Sequence, residues 1–131
     1  MTIYKLKEYH KKVNYEIIVD LYQLLQAIEF RKRFKYSKSW DLLTKLSKSN
    51  TEYNYDAKYW MANFLSKGLG VKKDKKRAFE YFNEVNNHFP NKDEKFFILR
   101  LKYRSLFIDF NDAPELRLDE FFLSNLSIGT T

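Results

Sequence analysis

Cysteine is absent from the chain, which excludes disulfide frameworks, cysteine-ligated metal sites and cysteine-based catalysis. Glycine and proline are scarce, with 3 Gly and 2 Pro in 131 residues, too few for the many turns of an all-β fold. An all-α domain is the simplest reading. No apolar run approaches the roughly 18 residues that a membrane span needs, and Met1-Thr2-Ile3-Tyr4-Lys5 carries no apolar core of a signal peptide. The expectation is a soluble, cytoplasmic protein. Histidine is limited to His10 and His88, which lack any H-x-x-x-H or H-E-x-x-H spacing, so no metal is expected. The carboxylate pairs Asp93-Glu94 and Asp119-Glu120 are adjacent in sequence, and on helices such neighbours diverge instead of converging as an acid and a base would. Gly68 and Gly70 are followed by no Gly-Lys-Ser and no third spaced glycine, so no phosphate-cradling loop and no cofactor are expected. The chain reads as a non-enzyme.

What the chain does contain is helical periodicity. Asp56 reads as an N-cap, after which Ala57, Trp60, Met61, Phe64 and Leu65 recur at the three- and four-residue steps of one helix face. Gly68 then suits a left-handed C-terminal cap. The Gly68-Leu69-Gly70 turn reverses the chain, Asp74 offers a second N-cap, and Ala78, Tyr81, Phe82 and Val85 form the next stripe. The product is an antiparallel helical hairpin, with small residues at Ala57, Ala62 and Ala78 allowing close approach and aromatics supplying buried area.

The run Gly68-Leu69-Gly70-Val71-Lys72-Lys73-Asp74-Lys75-Lys76-Arg77-Ala78 resembles the G-x-G-V-x-x-D-x-x-x-A signature of the Sel-one-like repeats, relatives of the tetratricopeptide repeats that form α/α solenoids. Upstream, Ala57, Met61, Ala62, Leu65 and Gly68 fall on the A-x-x-x-L-G-x-x-Y-x-x-G positions, with methionine for leucine, alanine for glycine and leucine for tyrosine. Val85 and Asn86 replace two alanines, and Phe89 replaces a glycine. The resemblance therefore covers one divergent repeat, residues 56–88.

One repeat cannot bury its own apolar faces, so neighbours are required. Ser39 aligns with Ala78, Trp40 with Phe79, Leu42 with Tyr81, Leu43 with Phe82 and Leu46 with Val85, each 39 residues further on. Residues 14–50 then read as a degenerate first hairpin whose first helix carries Ile17, Ile18, Leu21, Leu24, Leu25 and Ile28, and whose turn lacks the glycines. Downstream, residues 92–127 read as a C-terminal helix pair acting as a cap. Its first helix runs from Asp93 to Phe110, the break falls at Asn111-Asp112-Ala113-Pro114, and Leu116, Phe121, Phe122, Leu123 and Leu126 mark the last helix. Residues 1–13 fit either a frayed helix or an extended arm. The expected architecture is a single all-α domain over residues 1–131, a short α/α solenoid of five to six helices in antiparallel hairpins.

Charge is spread unevenly. The net charge is +7, yet residues 1–50 hold 11 basic and 5 acidic side chains, a balance of +6, while residues 105–131 hold one basic and five acidic, a balance of −4. Arg31, Lys32, Arg33, Lys35 and Lys38, with Phe34 and Tyr36 between them, have the composition of an anion or single-stranded nucleic-acid contact. A solvated basic surface, or one meeting an acidic protein or an anionic membrane surface, accounts for the same residues.

The resemblance implies a non-catalytic module that acts as an adaptor or scaffold for a protein or peptide. In such repeats the first helix lines the concave side, which here implies a contact face at Tyr59, Asn63, Ser66 and Lys67. A second candidate surface lies at Phe121 and Phe122, which are consecutive and cannot both face one core, and which would serve a homodimer through the C-terminal helix. RNA or single-stranded nucleic-acid binding through residues 31–38, and a role as a structural subunit of a larger assembly, are the alternatives.

Overall fold

The computed structural model describes residues 3–90 and 93–105. Among them the chain is all-helical. Five helices follow one another: α1 (Ile3–Lys32), α2 (Tyr36–Leu46), α3 (Tyr53–Lys67), α4 (Lys75–His88) and α5 (Glu94–Ser105). The α1–α2 and α3–α4 pairs are hairpins, and the first stacks on the second chiefly through α2 and α1 against α3. Helix α5 then packs back on α1. Residues 1–13, which fit either a frayed helix or an extended arm, are from Ile3 onward helical and continuous with α1. The expected last helix, with Phe121 and Phe122, lies outside the described residues.

Two chain reversals show why the hairpins form. At the end of α3 the amides of Gly68 and Leu69 both donate to the Phe64 carbonyl, at 2.7 and 3.0 Å, and Gly68 takes the left-handed conformation at φ +71° that this closure requires. At the end of α1 the Lys35 amide donates to the Phe30 carbonyl at 2.8 Å and the Phe34 amide to the Arg31 carbonyl at 3.1 Å. These are the paired bonds of a Schellman cap. Its left-handed position is filled by Phe34 at φ +62°, so the glycine missing from the sequence is missing from a turn that still forms. A non-glycine residue in that region costs about 1–2 kcal/mol.

The start of α4 follows the sequence expectation, with the Asp74 carboxylate accepting the Arg77 amide at 3.1 Å. The start of α3 corrects it. Helix α3 begins at Tyr53, one turn before the expected cap at Asp56, because Tyr53 itself enters the core at 3% exposure. Asp56 is thereby carried inside the first turn, where it is buried at 1% exposure. Helix α2 starts at Tyr36, with Ser39 in its first turn.

The core is built around α3. Phe64, Trp60, Met61, Ala57 and Tyr53 join Leu21, Leu24, Leu25, Ala27 and Ile28 of α1, Leu43 and Leu46 of α2, Val85 of α4, and Phe97 and Leu101 of α5. Trp40 stacks on Phe64 with centroids 6.1 Å apart, and Tyr36 meets the same ring edge-on at 5.9 Å. A smaller cluster of Ala62, Leu65 and Ala78 closes the α3–α4 crossing. The alignment by 39 residues matches in burial at two pairs and differs at a third, since Trp40 packs on Phe64 whereas Phe79 is 64% exposed. Ser39 and Ala78 are both buried at their hairpin crossings, and so are Leu46 and Val85. Ser39 adds a bond that alanine lacks, donating its hydroxyl to the Ala27 carbonyl at 2.7 Å across the α1–α2 crossing.

Candidate functional site

The four residues expected on an open face of α3 do not share one. Tyr59 and Asn63 are buried, at 8% and 6% exposure, whereas Ser66 is half-buried and Lys67 exposed. Two packing partners account for this correction. Phe97 of α5 stacks on the Tyr59 ring with centroids 4.2 Å apart and planes 17° from parallel, so α5 covers the face. Arg31 of α1 donates through Nη2 to Asn63 Oδ1 at 3.0 Å while its guanidinium lies 5.2 Å from the Trp60 ring centroid. What remains open at the C-terminal end of α3 is Ser66, whose hydroxyl donates to the Asn63 carbonyl, and Lys67.

Burial also changes the chemistry of Tyr59. Its phenol is pushed up to about 12 by desolvation, helped by the nearby carboxylates Glu94 and Asp93, with Arg31 pulling the other way. The ring is held neutral, as a packing element of the core.

The basic run separates into parts with different roles. Arg31 is committed to Asn63, Trp60 and Phe64. Arg33 pairs with the largely buried Glu29 at 2.7 Å, across one turn of α1. Lys32 is half-buried. Lys35 and Lys38 are exposed, Lys38 with its ammonium 5.6 Å from the Phe30 ring. Of the aromatics between them, Tyr36 is half-buried and Phe34 stands 78% exposed. Of the five candidate cations, Lys35 and Lys38 are exposed without an ion pair among the described residues, and Arg33 is exposed but paired with Glu29, all beside one exposed ring.

A different polar feature was not visible in the sequence. Between α1 and the α2–α3 connection lies a cleft of about 400 Å³. At its edge Asp20 accepts the hydroxyls of Ser49 and of Thr51, the latter at 2.5 Å, and Ser49 also receives the Thr51 amide at 3.0 Å. Asp20 sits inside the apolar run of α1, and nothing in its local spacing announces a partner some thirty residues away. The bonds tie α1 to the start of α3.

His88 stacks on Tyr55 at 3.9 Å with the rings nearly parallel. Among the described residues no three His, Cys, Asp or Glu side chains are grouped as a metal site would require, and no helix is long and apolar enough to cross a membrane. No family model matches the chain, and no curated protein or solved structure matches it.

Proposed function

We propose that this chain is a non-catalytic helical-repeat module of the Sel-one-like kind, an adaptor or scaffold that holds a protein or peptide partner. The observation that carries the reading is the repetition of one hairpin design. Both hairpins reverse at a left-handed cap, at Phe34 and Gly68, and both cross at a buried small residue, Ser39 and Ala78. Stacked units of this design extend a surface and build no catalytic cluster, so their natural work is recognition.

The contact face narrows relative to the sequence expectation, because Tyr59 and Asn63 serve the core. Ser66 and Lys67 at the end of α3 remain available to a partner. The test is affinity capture of the tagged protein from native lysate after nuclease treatment, comparing wild type with Lys67→Glu and Ser66→Trp. A discrete protein retained by wild type and lost from both variants, at unchanged thermal stability, supports the reading. Retention of the same protein by both variants removes this face from it.

A further inference from the structure

Phe34 is in the wrong place for a residue chosen for stability. It occupies the left-handed position of the α1–α2 cap at φ +62°, where glycine would relieve the strain, and the residue is 78% exposed, so it buries little. The Tyr36 ring stands at 90° to it with centroids 6.2 Å apart. Together with Lys35, Ser37 and Lys38 these two rings line an open cleft of about 460 Å³ whose lining, among the described residues, includes no carboxylate.

We infer that this corner binds single-stranded nucleic acid, one base stacking on Phe34 and the adjoining phosphates meeting Lys35 and Lys38. The chemistry of the surroundings selects this occupant over a protein. A protein interface needs an apolar centre extending over many residues, and the neighbours of Phe34 here are the exposed polar side chains Arg33, Lys35, Ser37 and Lys38. A base needs only one accessible ring face with cations beside it for the backbone, and any base can stack. The charge balance of +6 over residues 1–50 adds a favourable field for a polyanion. This surface shares no residue with the Ser66–Lys67 face, so loss of the protein-binding reading leaves it standing.

The test is fluorescence anisotropy of the full chain with a labelled oligouridylate of about ten nucleotides, a length suited to a single-strand site. The titration is repeated at salt from about 50 to 200 mM, the range over which phosphate contacts declare themselves. Phe34→Gly is expected to weaken binding about tenfold or more, the loss of one stacked base, while raising the thermal midpoint through relief of strain. Phe34→Asn, which also tolerates the left-handed backbone, is the second variant should glycine loosen the turn. Phe34→Trp is expected to retain binding. The Lys35→Gln, Lys38→Gln double variant is expected to flatten the log–log salt dependence by roughly 1.4, about 0.7 for each contact removed from a single strand. Absence of oligouridylate binding, or binding indifferent to Phe34→Gly and Phe34→Asn, overturns the inference. So does tighter binding of polyglutamate with the same dependence on Phe34, which would assign the corner to an acidic protein surface.

Discussion

Gly70 and Tyr36 press against each other so closely that a Cβ placed on Gly70 would lie 2.5 Å from the Tyr36 Cβ. The contact joins the α3–α4 turn to the first residue of α2, and so couples the two hairpins at a point where Gly70 has no room for a side chain. Gly70 also has φ +64°. Gly70→Ala therefore meets both backbone strain and a clash that has to move α2, with an expected loss of about 2–4 kcal/mol. Gly68→Ala meets the strain with an ordinary contact, its added Cβ lying 3.4 Å from the Lys73 Cβ, and is expected to cost about 1–2 kcal/mol. Urea denaturation of the two variants checks the order, and equal losses would show that the Gly70–Tyr36 approach is unimportant.

Much of this turn was legible in advance. Gly68 and Asp74 announce themselves because a left-handed cap and a side-chain cap each demand particular residue types, and those demands are local. The alignment of Ser39 with Ala78 was legible for a similar reason, since close helix crossings admit only small side chains. The burial of Tyr59 and Asn63 was not. It depends on α5 and the end of α1, which reach α3 from elsewhere in the chain, and a tyrosine or an asparagine on a helix fits solvent as readily as a satisfied interior. One signal was nevertheless present. Tyr59, Trp60, Met61, Ala62, Phe64 and Leu65 surround α3 with apolar area on every side, and a helix apolar all round is a buried helix. Phe34 as the left-handed cap of α1 escaped for the opposite reason, as its backbone conformation is one that the residue type argues against.

Arg31 belongs to the interior interface. Removing its bond to Asn63 Oδ1 leaves a buried amide without that donor and strips the guanidinium from the Trp60 face. Arg31→Lys is expected to destabilise nearly as much as Arg31→Ala, by about 1–3 kcal/mol, since a lysine does not place a planar guanidinium between Asn63 and the Trp60 ring. A double-mutant cycle with Asn63→Ala should return a coupling of about 0.5–1.5 kcal/mol. A coupling near zero would free Arg31 for other partners.

Asp20 fastens α1 to the start of α3 by accepting the hydroxyls of Ser49 and Thr51. Asp20→Ala is expected to cost about 1.5–3 kcal/mol, the range for hydrogen bonds to a charged group. The Ser49→Ala, Thr51→Ala double variant should lose a similar amount, and combining all three changes should add little. Chemical denaturation curves of the three proteins decide it; full additivity would mean that the hydroxyls and Asp20 act separately.

The raised phenol of Tyr59 makes stability fall at alkaline pH. In the unfolded chain a tyrosine ionises near its ordinary value of 10.0, whereas burial holds Tyr59 protonated to about 12. Its contribution to stability is therefore complete below pH 10 and disappears as pH rises from 10 towards 12. Ultraviolet titration of phenolate absorbance should show a late-titrating tyrosine that vanishes in Tyr59→Phe. The same substitution should flatten the alkaline fall in the unfolding midpoint, and an unchanged pH profile would place the titration elsewhere.

The central claim is that a stack of helical repeats presents the end of α3 to a protein partner, and site-specific photocrosslinking tests it most directly. A photoreactive phenylalanine derivative is placed at Lys67, or for comparison at exposed Asn86 on α4, and the protein is irradiated in nuclease-treated native lysate. The account expects a discrete protein adduct from position 67 that is absent from position 86. No adduct at position 67, or the same adducts from both positions, would contradict it.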